Sequence, residues 1–200
     1  MMISAVSIDK KVRGKLAVCI TGMPGAGKST VAQALQKNGF DLVVLGDAVR
    51  AEAEKMGFVG SDFNLGKIMN NLRSKLGMGA VAILSMPRIR SEGQRCVIDG
   101  IRSIDEVNVI KKEIDVHVLA IHASPQTRYN FLRKRKRGDN PLNWESFVTR
   151  DKREIDVGLS EVIALSDEVI CNNRLSIEEL KSEAIKIVKM WITENEAGTS

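Results

Sequence analysis

The chain has 200 residues, with 30 Lys and Arg against 25 Asp and Glu, a formal net charge of +5. Its 44% hydrophobic and 28% charged content is ordinary for a soluble globular domain. No apolar run approaches the roughly 20 residues of a membrane-spanning helix. Residues 1–15 lack the apolar core and cleavage site of a secretory signal, so a cytoplasmic protein with a short N-terminal arm is expected.

The first predicted element is a strand over 16–21, Leu-Ala-Val-Cys-Ile-Thr. It runs directly into Gly22-Met23-Pro24-Gly25-Ala26-Gly27-Lys28-Ser29-Thr30, which matches the phosphate-binding loop G-x-x-x-x-G-K-[ST] in full. A helix over 29–37 follows and stops at Asn38-Gly39. Strand, glycine-rich loop and helix are the setting in which backbone N–H groups wrap a phosphate chain. Lys28 then reaches the β- and γ-phosphates and the Ser29 hydroxyl is placed for Mg²⁺. The candidate ATP contacts are Gly22, Pro24, Gly25, Ala26, Gly27, Lys28, Ser29 and Thr30.

The second strand, 42–45, leads into Gly46-Asp47-Ala48-Val49-Arg50 and a helix over 47–56. Asp47 suits either a helix cap or the edge of a site, and Arg50 follows one turn later. Helices over 64–76 and 79–90 are separated by Gly77. The third strand, 96–98, ends in Asp99-Gly100-Ile101-Arg102. An apolar strand ending in Asp matches the acid that holds Mg²⁺ behind a phosphate loop, which makes Ser29 and Asp99 the metal candidates. Ser103 and Glu106 have the spacing of a capping box and open a helix over 103–114. The fourth strand is 116–122. Ser124-Pro125 then opens a basic helix, and six cations fall between Arg128 and Arg137, which suits a solvated face or a nucleic-acid patch or, beside a phosphate loop, a set of arginines that closes over nucleotide phosphates. A helix over 143–155, a strand over 168–171 and a helix over 176–194, entered through Ser176 and Glu179, complete the series.

Strands alternating with helices imply crossover units and a parallel sheet covered on both faces. The expected fold is a three-layer α/β/α phosphate-loop NTPase domain over residues 16–195, with five parallel strands. Its phosphate site sits at the carboxyl edge of the sheet. Cys19, Cys96 and Cys171 each fall in a predicted strand without metal spacing, as reduced core residues do. Trp144 and Phe147 read as a packed helix face, and His117 and His122 as structural.

In their order, Gly-x-Pro-Gly-x-Gly-Lys-Ser at 22–29, Gly-Asp-x-x-Arg at 46–50 and Asp-Gly-x-Arg at 99–102 resemble adenylate kinase and related nucleoside monophosphate kinases. The resemblance implies that Arg50 and Arg102 bind the acceptor phosphate, with Asp47 beside the acceptor. It also implies a small helical lid over about 128–156. Arg137, Arg150 and Arg153 would embrace the transferred group there, and Arg133 would contact ATP. The chain departs from ordinary adenylate kinase in its third motif and in a short lid without zinc cysteines. Its C-terminal third looks like dephospho-coenzyme A kinase, through Ser124-Pro125, Arg128, Arg133, Asn172 and the segment 176–180. As a whole, residues 16–190 are most similar to a family of adenylate-kinase-related proteins found in archaea.

The implied activity is Mg²⁺-dependent transfer of the ATP γ-phosphoryl group to a small phosphorylated acceptor such as AMP. Transfer to an alcohol, with Asp47 as base, is the first alternative. A nucleotide-switched ATPase gripping nucleic acid through the basic helix is the second; with aromatics at 4% and no RNA-binding motif, it has less support.

Overall fold

A computed structural model of the chain describes residues 14–55, 57, 62–135 and 140–198. Five strands, β1 (Leu16–Thr21), β2 (Asp41–Val44), β3 (Arg95–Asp99), β4 (Asp115–His122) and β5 (Glu168–Cys171), form one parallel sheet in the order β2-β3-β1-β4-β5. The helices are α1 (Lys28–Lys37), α2 (Leu45–Lys55), α3 (Asp62–Leu76), α4 (Ala80–Ser91), α5 (Ile104–Lys111), α6 (Pro125–Lys134), α7 (Trp144–Asp156), α8 (Leu159–Ala164) and α9 (Ile177–Gly198).

β1 is central because all six of its residues are buried, and its alternation divides the core in two. Ala17 and Cys19 face a cluster built from α2, α3, α4, α5 and α8. Leu16, Val18 and Ile20 face a second cluster built from α1 and α9. These are the three expected layers. The edge strand β5 departs from the expectation of strands buried throughout, for only Ile170 of its four residues is buried. Cys171 is accordingly exposed rather than a core residue, whereas Cys19 and Cys96 are buried.

Ile20 pairs with Asp99 across β1 and β3, and Thr21 with Ala120 across β1 and β4. The three central strands therefore end at one level, where the strand order switches sides and a crevice opens. The Thr21 hydroxyl donates to the Ile101 carbonyl at 3.1 Å, tying the end of β1 to the loop that carries Arg102. At the opposite edge, buried Lys15 donates to the carbonyls of Ile89, Arg90 and Glu92 and so closes the C-terminus of α4.

Three local readings change. α2 begins at Leu45, so Asp47 lies in its first turn and is not its cap. α8, entered through Gly158 in the left-handed region (φ 105°), has too few residues to declare a periodicity. The Ser103–Glu106 box is shifted by one residue. Glu106 N–H donates to Ser103 Oγ at 3.3 Å, and the Glu106 carboxylate accepts from Arg102 N–H at 2.8 Å, with Ser103 N–H the weaker of its two backbone donors. The Ser176–Glu179 box is complete, at 2.8 and 3.2 Å. Ser103→Ala removes the α5 cap and a 3.3 Å bond to the Met78 carbonyl. It should lower unfolding free energy by about 1 kcal/mol, read as a lower urea midpoint at unchanged slope.

Candidate functional site

The loop between β1 and α1 lies at the crevice, and neighbouring elements hold it on two sides. A Cβ on Gly25 would lie 2.8 Å from Leu132 Cγ and 2.9 Å from the Arg128 carbonyl, so α6 seats directly on the loop. A Cβ on Gly27 would lie 2.7 Å from Asn172 Nδ2. That amide donates to the Ala26 carbonyl at 2.8 Å, and the Asn172 N–H donates to His122 at 2.7 Å. The segment after β5 thus fixes the last turn of the loop. Pro24 offers its carbonyl to Arg128 at 3.1 Å, and Thr30 N–H donates to Gly27 at 3.1 Å.

Lys28 donates to the Gly22 and Met23 carbonyls at 2.6 and 3.1 Å. Burial lowers its amine pKa to about 8. Asp99 and Glu154 oppose that shift, while Arg102 and Arg150 add to it. Four charged side chains from β3, its following loop and α7 therefore act on one ammonium group. The Ser29 hydroxyl lies 3.4 Å from Asp99 Oδ2, so the two oxygens expected to serve a metal adjoin each other. Among the described residues no group of three or more His, Cys, Asp or Glu could hold a metal. A Mg²⁺ that keeps water and phosphate oxygens needs no such group.

The predicted acceptor residues fall into two groups. Arg50 folds back over Gly46 and pairs with Asp47, which also lies 3.8 Å from Arg88 on α4. Arg102 pairs with Glu154 of α7 at 3.0 Å. Arg102 is thus electrostatically joined to Lys28, whereas Arg50 stands at the rim.

The basic segment divides more sharply. Arg128 is buried, and it does not join a set of cations available to phosphate. It forms a bidentate pair with Asp151 at 2.8 and 2.5 Å, donates to Ala123 and Pro24, and lies over the Phe147 ring. This binds α6, α7 and the phosphate loop into one unit. Tyr129, Trp144 and Phe147 pack edge to face or tilted alongside it, as the packed-face reading expects. Arg133 is exposed above the Tyr129 ring, so its described contact is aromatic. On α7, Arg150 and Glu154 lie one turn apart and both act on Lys28. Arg153 is exposed between them in sequence and is not among those charges. Arg137 lies outside the described residues. His117 stacks on Trp191, a structural role as expected.

Sequence reading missed Asp151, Glu154, Arg88 and the buried pair of Arg73 and Glu106. Their signals are weak beforehand. Asp151 follows buried Phe147 by one turn and Glu154 follows Arg150 by one turn, but nothing local says which face meets the loop.

A family model described as AAA domain, AAA_18, matches residues 18–153. UPF0200 proteins of Pyrococcus furiosus and Pyrococcus abyssi are each 41% identical to the chain, covering 86% of it and 95% of their own length. One from Staphylothermus marinus is 39% identical, covering 89% and 94%. Among solved structures, TT1252 from Thermus thermophilus is similar at a TM-score of 0.65 and 20% identity, covering 88% of this chain and 97% of its own. A shikimate kinase from Bacteroides thetaiotaomicron is similar at 0.61 and 11%, covering 88% and 98%. These likenesses carry the fold: the chain has the three-layer architecture found in phosphate-loop kinases.

Proposed function

The chain belongs to the UPF0200 family and carries an AAA_18 domain, and we propose that it is an ATP-dependent phosphotransferase acting on a small phosphorylated acceptor, most simply a nucleoside monophosphate such as AMP. The observation that carries this reading is the convergence on Lys28. Arg102 from the sheet edge pairs at 3.0 Å with Glu154 of α7, one turn from Arg150, and the charges of both arginines bear on the ammonium that the loop carbonyls hold. A transferring phosphoryl group needs cations on the donor, acceptor and equatorial sides at once.

In this reading the loop N–H groups and Lys28 hold the ATP phosphates. Arg150, with Arg137, neutralises charge on the transferring group, and Arg153 stands further out on the same helix. Arg102 and Arg50 hold the acceptor phosphate. Ser29 and Asp99 would hold Mg²⁺, which when bound offsets charge on the β- and γ-oxygens. The acceptor oxygen is already ionised near neutral pH, so no general base is required. The Asp47 carboxylate then serves to orient Arg50 and Arg88, to which it already pairs.

The test is a product assay with labelled ATP and Mg²⁺ against AMP, CMP, UMP, GMP and dephospho-coenzyme A, each with a no-acceptor control. A labelled diphosphate is the expected result. Labelled coenzyme A would make Asp47 a base and transfer to an alcohol the reaction. Phosphate release that ignores every acceptor would overturn the kinase reading.

Lys28 also gives nucleotide binding a pH dependence. Free, it titrates at about 8, and bound phosphates favour its charged form. Below that pH it is already charged and contributes no dependence. Above it, binding must take up a proton, so ATP affinity should fall by about tenfold per unit until the bound-state pKa is passed. Calorimetry at pH 9 in two buffers of different ionisation enthalpy should show proton uptake, and Lys28→Met should abolish it.

A further inference from the structure

Arg73, on α3, is a buried cation that the scheme above does not use. Its side chain is 8% exposed. Its Nε and Nη2 are buried and have no hydrogen-bond partner among the described residues. Its nearest anion is the Glu106 carboxylate, 3.9 Å from Nη2, beyond hydrogen-bond reach. The other Glu106 oxygen already accepts from Arg102 N–H at 2.8 Å. Arg128, another buried guanidinium among the described residues, shows what a purely structural arginine looks like here, with both carboxylate oxygens of Asp151 in bidentate contact. Arg73 has a compensating charge nearby but an unfilled donor edge, and a buried unpaired donor is costly.

Arg73 lies on the same side of the molecule as Arg102, the proposed acceptor side. Met69 precedes Arg73 by one turn of α3, and its sulfur lies 3.9 Å from Arg102 Nη1. The Arg102 guanidinium therefore lies along the same α3 face. Arg73 also shares Arg102 and Glu154 as charged neighbours with Lys28. Nε and Nη2 form the parallel fork with which arginine grips two oxygens of one phosphate.

We propose that the Nε/Nη2 edge of Arg73 is a buried oxyanion fork that, beside Arg102, grips the phosphate of the acceptor, with Glu106 holding both arginines in place. The site takes a terminal phosphomonoester with two free oxygens, and the proposal rests on the phosphotransferase reading for the identity of its ligand. Arg50 stands exposed at the rim with Asp47 on its Nη2, and Arg102 has its Nε on Glu154, so the buried, unpartnered Nε/Nη2 pair is particular to Arg73 among these three. Arg73 is then the residue that distinguishes a phosphorylated acceptor from the unphosphorylated analogue.

The experiment uses the full chain saturated with Mg²⁺ and a non-hydrolysable ATP analogue, so that the phosphate loop is filled. Inorganic phosphate is titrated while the arginine Nε–Hε resonances are followed. The Arg73 resonance, assigned through its own backbone, should shift and saturate. A titration that leaves it unmoved overturns the proposal, and this needs no variant to fold. In parallel, Arg73→Lys keeps the charge and loses the fork. It should raise the KM for the phosphorylated acceptor at least tenfold more than it lowers kcat, with ATP-analogue affinity retained. Product formation with unchanged acceptor KM in Arg73→Lys overturns the fork and leaves the kinase reading intact. A saturating Arg73 shift in a protein that phosphorylates no acceptor supports the anion site and overturns the kinase reading instead.

Discussion

Lys28→Ala should reduce phosphoryl transfer by about 10²–10⁴-fold, the loss typical of removing one preorganised electrostatic stabiliser. The size follows from where the ammonium sits. It is held by two loop carbonyls, and the charges of Asp99, Arg102, Glu154 and Arg150 all bear on it. No second lysine approaches this point among the charges acting on it. The neighbouring arginines should not substitute, because each comes from a different element and Arg102 is already engaged with Glu154. The fold should tolerate the change, for Lys28 opens α1 with its amine directed at the loop and Ala is the best helix former. The measurement is initial rate against both substrates, with a thermal melt as control. A folded Lys28→Ala protein that transfers phosphate at the original rate would remove the loop from the chemistry.

What could be read beforehand depended on how far each residue's partners lie along the chain. The phosphate loop is legible because nine consecutive residues carry it, and the flanking strand and helix are local patterns. Asp99 and Arg102 are legible for the same reason, at the end of a short apolar strand. Arg128 misleads because its partners are distant, with Pro24 104 residues away and Asp151 23 residues away. In sequence it is one of six clustered cations. In the fold, α6 seats against Gly25 and turns that single side chain inward. Glu106 misleads in a subtler way. Its spacing from Ser103 is a capping box, but its carboxylate accepts from the N–H of Arg102, one residue before the cap, and tertiary packing brings the distant Arg73 guanidinium to it. Cys171 is apolar and lies in a strand, yet only sheet order reveals that the strand is an edge.

Arg128→Ala should destabilise the fold by about 3–5 kcal/mol, the usual cost of breaking a buried ion pair by removing one partner. Asp151 is only 14% exposed and would keep a charge without its fork. The Pro24 and Ala123 carbonyls would lose their donor, and the Phe147 ring its covering cation. For a chain of this size that corresponds to a fall in Tm of roughly 10 °C. Arg128→Met with Asp151→Leu replaces both charges by apolar side chains and should recover most of the stability, since the pair is held together against a large desolvation cost. It should not recover nucleotide affinity, because neither new side chain can donate to the Pro24 carbonyl and so fix the loop. The two variants thus separate two roles for this arginine. A structural tie gives low stability in the single variant and restored stability with weak nucleotide binding in the double. A direct phosphate ligand would instead give a single variant of normal Tm whose turnover is lost, and that result would return Arg128 to the cations that close over ATP.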